Sequence, residues 1–245
     1  MIQLPMRQQI PSISTPLRQR SLVLILLLTS ASILYILLFR LGLLMSPRDL
    51  PAVLCGDACA PESPLHPIVS EATPLDQALL NESRPLSTLL DNISKEPNLE
   101  KISILVEKSL YRLTIFYDLK PLKSYAVVLG ENPSGDKFSQ GDQKTPEGLL
   151  HIRDLYPHPE WSKFVWLDYP NPQSWRKHFQ AKLTGEIGLF ASIGGEIGIH
   201  GVPQGLDILI PQRSNWTLGC VSLRNGDIEE IYPFLKIGTP VEIRP

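Results

Sequence analysis

The chain has 245 residues, 43% of them hydrophobic and 20% charged, with 23 prolines, 16 glycines and a formal net charge of −2. So much apolar residue at so small a net charge excludes a wholly disordered chain, and three cysteines are too few for a disulfide-built scaffold. The near-neutral total conceals three regions. Residues 1–45 hold Arg7, Arg18, Arg20 and Arg40 and no acid; residues 46–100 hold three basic and nine acidic side chains; residues 101–245 hold sixteen of each. With no basic excess beyond the first region, the main body lacks the electrostatic footprint of nucleic-acid binding.

Residues 1–20 read as a cytoplasmic N-terminus and 21–45 as a transmembrane signal-anchor helix. Its centre, 21–39, is nineteen residues without a charge, which at about 1.5 Å per residue matches a hydrocarbon core of about 30 Å. A cleaved signal peptide is the competing reading. The run exceeds the roughly 7–15 residues of a signal h-region, and no clear small-x-small cleavage site follows Arg40. Arg7, Arg18 and Arg20 hold the N-terminus inside and send the rest of the chain across the membrane.

Residues 46–100 read as a spacer: they contain eight prolines, and 46–74 has almost no periodicity. Apolar spacing over 75–93 predicts one or two short amphipathic helices interrupted at Pro85, able to pack on the domain C-terminal to them. Cys55 and Cys59 suit a local disulfide in an oxidising compartment better than a metal site, since no further ligands cluster nearby. Leu54 stands where a lipid-anchor site before Cys55 requires a small residue. That pairing leaves Cys220 as the odd thiol.

From residue 101 short alternating runs separated by turn residues predict a mostly β domain over 101–245. Strands are expected at 102–106, 111–117, 125–129 and 149–155, with a turn over 118–121 and a long Pro- and Trp-containing loop from 156 to about 175. Gly-Glu-Ile-Gly at 185–188 returns at 195–198, which fits a hairpin better than a repeat array.

Residues 195–201 read as a strand whose alternation puts Ile197 and Ile199 on one side and Gly198 and His200 on the other. In the run 220–223, Val221 and Leu223 take the core face and turn Cys220 and Ser222 away from it. Taken singly, a lone Cys is usually an inert small hydrophobe and a lone His a structural residue. Together they suggest more: a Cys after a glycine permits close backbone approach to a substrate, with amide N–H groups for an oxyanion, and an imidazole is what activates a thiol. Spacing alone does not show that His200 meets Cys220.

His200-Gly201 followed by Thr217-Leu218-Gly219-Cys220 resembles the signature of YkuD-type L,D-transpeptidases. The resemblance covers about 101–243 and includes Leu129-Gly130, the Lys137 region, Gly141-Asp142, Thr145-Pro146-Glu147-Gly148, Tyr169-Pro170-Asn171, Arg224-Asn225 and Gly238-Thr239-Pro240-Val241. It implies a YkuD-type β-sandwich or barrel-like catalytic domain with short helices, anchored in the inner membrane and facing the periplasm. Many members carry His before the Gly-Cys and Arg two residues after the Cys, where this chain has Leu218 and Ser222; a YafK-like branch resembles this tail more closely.

What the resemblance implies chemically is a Cys220 nucleophile and a His200 general base and acid oriented by the backbone carbonyl of Gly201. Backbone amides of Leu218, Gly219 and Cys220 would form the oxyanion site. The substrates implied are peptidoglycan stem peptides, attacked at the meso-diaminopimelate carbonyl, with an amine of a second stem or of an envelope protein as acceptor. Hydrolysis of the same acyl-enzyme, as an L,D-carboxypeptidase or amidase, and a non-catalytic envelope-binding module stay open beside transfer. Thr217, Trp216 and Arg224 are further substrate-contact candidates. Asn225 is expected to cap a short helix ended by Pro233. No metal or other cofactor is expected, because His66, His151, His158 and His178 show no ligand spacing.

Overall fold

The computed structural model describes residues 15–55 and 84–245, which fall in two compact units, Met1–Leu44 and Met45–Pro245. The first unit contains helix α1 (Thr15–Arg40). Its stretch Arg20–Arg40 has mean hydropathy 2.7 and is long and apolar enough to cross a membrane. The hydroxyls of Thr29, Ser30 and Ser32 donate to the carbonyls of Leu26, Leu27 and Leu28 at 2.8–3.0 Å, so these three hydroxyls are satisfied within the helix.

Among the described residues the second unit is built on eight strands: β1 (Ile102–Glu107), β2 (Arg112–Tyr117), β3 (Lys120–Ala126), β4 (Gly148–His158), β5 (Ser162–Leu167), β6 (Gly198–His200), β7 (Val221–Ser222) and β8 (Pro240–Arg244). They form one sheet in the order β3-β2-β1-β8-β4-β5-β6-β7. The pairs β1–β8 and β6–β7 are parallel and the rest antiparallel. Beyond β3, Val128 bridges Ser222 and Gly130 bridges Thr217, so the two edges of the sheet meet and it curls into a half-barrel. This is the mostly β, barrel-like architecture expected.

Among the described residues, the α-helices that accompany the sheet in this unit are α2 (Leu50–Leu54), α3 (Leu86–Asp91), α4 (Pro172–Leu183) and α5 (Asn225–Ile231). Leu86 and Leu90 of α3 are fully buried in the core with Ile104, Leu113, Ile115, Val221 and Val241, and Met45 and Val53 pack against the same core. The short helix after Pro85 thus packs on the domain C-terminal to it, and Met45 and Val53 reach the same core. The helix expected N-terminal to Pro85 lies outside the described residues, as does Cys59; Cys55 is disulfide-bonded.

Several local expectations are corrected. The third strand begins at Lys120, not 125: Asp118 and Leu119 both have positive φ (51° and 64°) and make a two-residue hairpin turn of the I′ kind without the Asn or Gly that usually announces one. Pro121 is tolerated because β3 lies at the end of the strand order, where a missing N–H costs least. The predicted loop 156–175 instead holds the end of β4, all of β5 and the start of α4. There Phe164, Val165 and Leu167 are buried, and Pro172 opens a helix whose N-cap, Asn171, accepts from Ser174 N at 3.0 Å. The two Gly-Glu-Ile-Gly segments form no hairpin, since β6 pairs with β5 and β7 instead. Arg224, not Asn225, occupies the N-cap of α5.

Glu230 of α5 ties three elements together. It accepts from Lys123 Nζ at 2.8 and 2.9 Å, Tyr125 Oη at 3.0 Å and Leu86 N at 2.8 Å. Partial burial raises its pKa, but these donors outweigh it and hold the carboxyl below the usual range. Glu230→Ala is expected to lower stability by about 2 kcal/mol, below the 3–5 typical of a fully buried pair because Glu230 keeps some solvent. Urea unfolding of the purified protein measures the loss, and a Lys123→Met/Glu230→Leu double variant should recover most of it.

Candidate active site

The site lies on the parallel pair β6–β7, where Ile199 sits opposite Val221 and His200 opposite Ser222. Ile197, Ile199, Val221 and Leu223 are buried in the core. Alternation puts His200 and Ser222 side by side on the other face, with Cys220 two residues before Ser222 on that same face. Gly198 is required because a Cβ would lie 2.5 Å from the Phe164 ring, and Gly219 because a Cβ would lie 2.7 Å from the Lys144 carbonyl at a φ of +140°.

His200 is 1% exposed. Its Nδ1 lies 2.6 Å from the Gly201 carbonyl. A carbonyl only accepts, so Nδ1 carries the proton and Nε2 of the neutral ring is the acceptor. The ring stacks on Trp161 (4.5 Å between centroids) and Phe164 (5.6 Å), with the edge of Trp216 at 5.5 Å; His158 stacks on the far side of this cluster against Trp161. Burial among these rings pushes the imidazole pKa down to about 4.

Cys220 is half-buried and free. Its thiol donates to the Glu196 carbonyl at 3.5 Å, so in this state the S–H is turned toward the residue before Ile197 rather than toward the imidazole. Burial pushes the thiol pKa up to about 11. The resting pair is therefore a neutral thiol and a neutral imidazole at pH 7.

The residues before Cys220 form a tight turn. Thr217 is buried; its hydroxyl donates to the Cys220 carbonyl at 2.7 Å and accepts from Gly219 N at 3.2 Å. Thr217 thus holds the turn, and the Gly219 amide is already engaged. Among the described hydrogen bonds, the amides of Leu218 and Cys220 have no such internal acceptor. Leu218 is 73% exposed. Trp216 lies by the His200 ring, whereas Arg224 is exposed and bonded to Asp227 at 2.7 Å.

Behind Gly219 stands the loop between β3 and β4, fixed by side chains that sequence reading did not single out by role. Asp142 accepts from Lys137 Nζ (2.7 Å), Phe138 N (2.9 Å), Ser139 N (3.0 Å) and Lys144 N (3.1 Å). Although burial opposes it, this set holds the Asp142 carboxyl below its ordinary pKa. Thr145 Oγ1 accepts from Gly130 N at 3.0 Å. The signal for such a loop is an Asp preceded at short range by Lys and Ser in a polar, Gly-rich run. The described residues hold no group of three or more His, Cys, Asp or Glu able to bind a metal ion.

The family model of YkuD, the L,D-transpeptidase catalytic domain, matches residues 101–243, and the chain belongs to this family. No curated protein shows significant similarity to it. Among solved structures it is similar to Bd1075 of Bdellovibrio bacteriovorus (22% identity, 59% of this chain and 48% of that one, TM-score 0.42). The helical cell shape determining protein Pgp2 of Campylobacter jejuni is matched at 22% identity over 65% of this chain and 55% of that one, TM-score 0.42. An L,D-transpeptidase from Mycobacterium smegmatis is matched at 14% over 59% of each chain, TM-score 0.39. The chain thus spans about half to three-fifths of the length of these proteins.

A thiol pKa of about 11 leaves about one thiolate in ten thousand at pH 7. Alkylation of Cys220 by iodoacetamide, followed by peptide mass spectrometry, should rise about tenfold per pH unit from 7 to 10. A thiolate–imidazolium pair would instead give a flat rate between about pH 5 and 8.

Proposed function

We propose that the protein is a peptidoglycan L,D-transpeptidase held in the inner membrane by α1, with its second unit in the periplasm. The observation that carries this reading is His200 on β6 beside β7, with Cys220 immediately before β7, His200 Nδ1 tied to Gly201 and Nε2 left to accept a proton. Membership of the family supplies the substrate class.

In the proposed reaction the Cys220 thiol swings from the Glu196 carbonyl toward His200. Since both groups rest neutral, proton transfer to Nε2 accompanies attack of sulfur on the meso-diaminopimelate carbonyl of a stem tetrapeptide. The amides of Leu218 and Cys220 donate to the oxyanion, each worth about 3–4 kcal/mol; Gly219 joins them only by giving up Thr217. The imidazolium returns its proton to the departing D-Ala amine, leaving a thioester. An acceptor amine then attacks the thioester, and its proton passes through His200 back to sulfur as the new amide is released. Trp216, beside His200, and the exposed Leu218 line the approach for the stem, while Arg224 at the start of α5 offers a cation for a stem carboxylate.

Whole peptidoglycan incubated with the purified protein, then digested and its muropeptides identified, should gain 3→3 cross-links. Loss of terminal D-Ala alone would instead identify a carboxypeptidase. Intact-protein mass spectrometry should show an acyl adduct with tetrapeptide that disappears in Cys220→Ala. His200→Gln should slow adduct formation by about 10²–10⁴; an adduct on Cys220→Ala would overturn the assignment of the nucleophile.

A further inference from the structure

The Gly201 peptide is held on every side. Its N–H donates to the Trp161 carbonyl at 3.0 Å. On its Cα, a Cβ would lie 2.1 Å from Asn225 Oδ1 and 2.6 Å from the Trp161 carbonyl, so no side chain fits. Its carbonyl accepts twice, from His200 Nδ1 at 2.6 Å and from Ser222 Oγ at 3.2 Å. Those two donors use both lone pairs of the oxygen.

Ser222 is fully buried, and its backbone has no freedom to spare. Its N–H donates to Val128 O at 2.8 Å, its carbonyl accepts from Val128 N at 2.9 Å, and the next residue, Leu223, donates to His200 O at 2.9 Å. The parallel register sets Ser222 directly opposite His200. The hydroxyl therefore has a fixed origin and a single acceptor, the oxygen that orients the imidazole.

We propose that Ser222 is a positioning residue: its hydroxyl fixes the Gly201 carbonyl, which in turn fixes the plane and tautomer of His200. This rests on the reading of His200 as the base, and it assigns Ser222 no contact with substrate. Without the second donor the carbonyl swings about its peptide and the Nδ1–H bond lengthens. The base then spends less time aimed at the thiol, while the surface that binds the stem is unchanged. The loss belongs in kcat rather than KM.

Two measurements on the full chain in detergent test it. In steady-state turnover of tetrapeptide muropeptide, Ser222→Ala should lower kcat about tenfold, the equivalent of one hydrogen bond, with KM within twofold; Ser222→Thr, which keeps the hydroxyl, should restore most of it. In ¹⁵N-histidine NMR of the folded protein, the Nδ1 proton of His200 should move upfield in Ser222→Ala, with the Nε2–H tautomer newly populated, and stay in place in Ser222→Thr. Unchanged kcat together with an unchanged Nδ1 resonance in Ser222→Ala overturns the proposal. If the wild-type protein turns over no muropeptide, the proposed function fails while the resonance still decides the role of Ser222. Should Ser222→Thr fail to fold around its extra methyl, the resonance in Ser222→Ala decides alone.

Discussion

Everything at the candidate site depends on the parallel pairing of β6 with β7. Only two residue pairs define it, Ile199 with Val221 and His200 with Ser222, and so short a ladder does not stand alone. It is held from one side by β5, which pairs with β6, and from the other by the bridge of Val128 to Ser222 that closes the sheet. Below it, Ile197, Ile199, Val221 and Leu223 anchor the strands in the core. Since a one-residue slip reverses every side chain, this apolar anchoring is what keeps His200 and Cys220 on one face. The distant tie at Glu230 belongs to the same frame, because α5 begins only three residues after Ser222 and carries that glutamate to β3 and α3.

The closeness of the frame sets the electrostatics. An imidazole walled by Trp161, Phe164 and Trp216 has little solvent to stabilise its charged form, and the Gly201 carbonyl recovers only part of that loss. The thiol meets the same penalty. Two groups that each resist charge rest as a neutral pair, and a charge separation that is costly at rest becomes favourable only when an oxyanion and its donors share it. In the proposed reaction, the aromatic enclosure thus trades resting nucleophilicity for dependence on an aligned substrate.

Much of this was legible in the chain. The apolar run in 21–39 marked α1, alternation marked β1 and β2, and the phase of Ile197, Ile199, Val221 and Leu223 turned His200 and Cys220 away from the core. What was not legible depended on distant partners. The turn at Asp118 and Leu119 has positive φ at both residues with no glycine to signal it, because the flanking strands impose it. β5 was hidden by the Pro- and Trp-rich composition around it, and its short run Phe164-Val165-Trp166-Leu167 becomes a strand only between β4 and β6. Thr217 was ambiguous from sequence because a hydroxyl serves a substrate or a turn equally well; its bonds to Cys220 and Gly219 give it a turn to hold. Ser222 stood out only as a departure from a motif, since nothing local reveals that its hydroxyl meets the carbonyl of a residue twenty-one positions earlier.

The cysteines show the same logic at the scale of the chain. Cys55 is disulfide-bonded while Cys220 is free, so oxidised and reduced sulfur coexist among the described residues. Disulfide exchange and oxidation to sulfenic acid both proceed through the thiolate, and at Cys220 burial makes the thiolate scarce. The same penalty therefore lowers the thiolate fraction open to oxidants. A thiol with a depressed pKa would attack a stem peptide sooner but would be exposed to oxidation throughout its idle time. For an enzyme meeting an insoluble polymer only intermittently, as proposed here, the buried neutral pair preserves the sulfur until a carbonyl is in line to receive it.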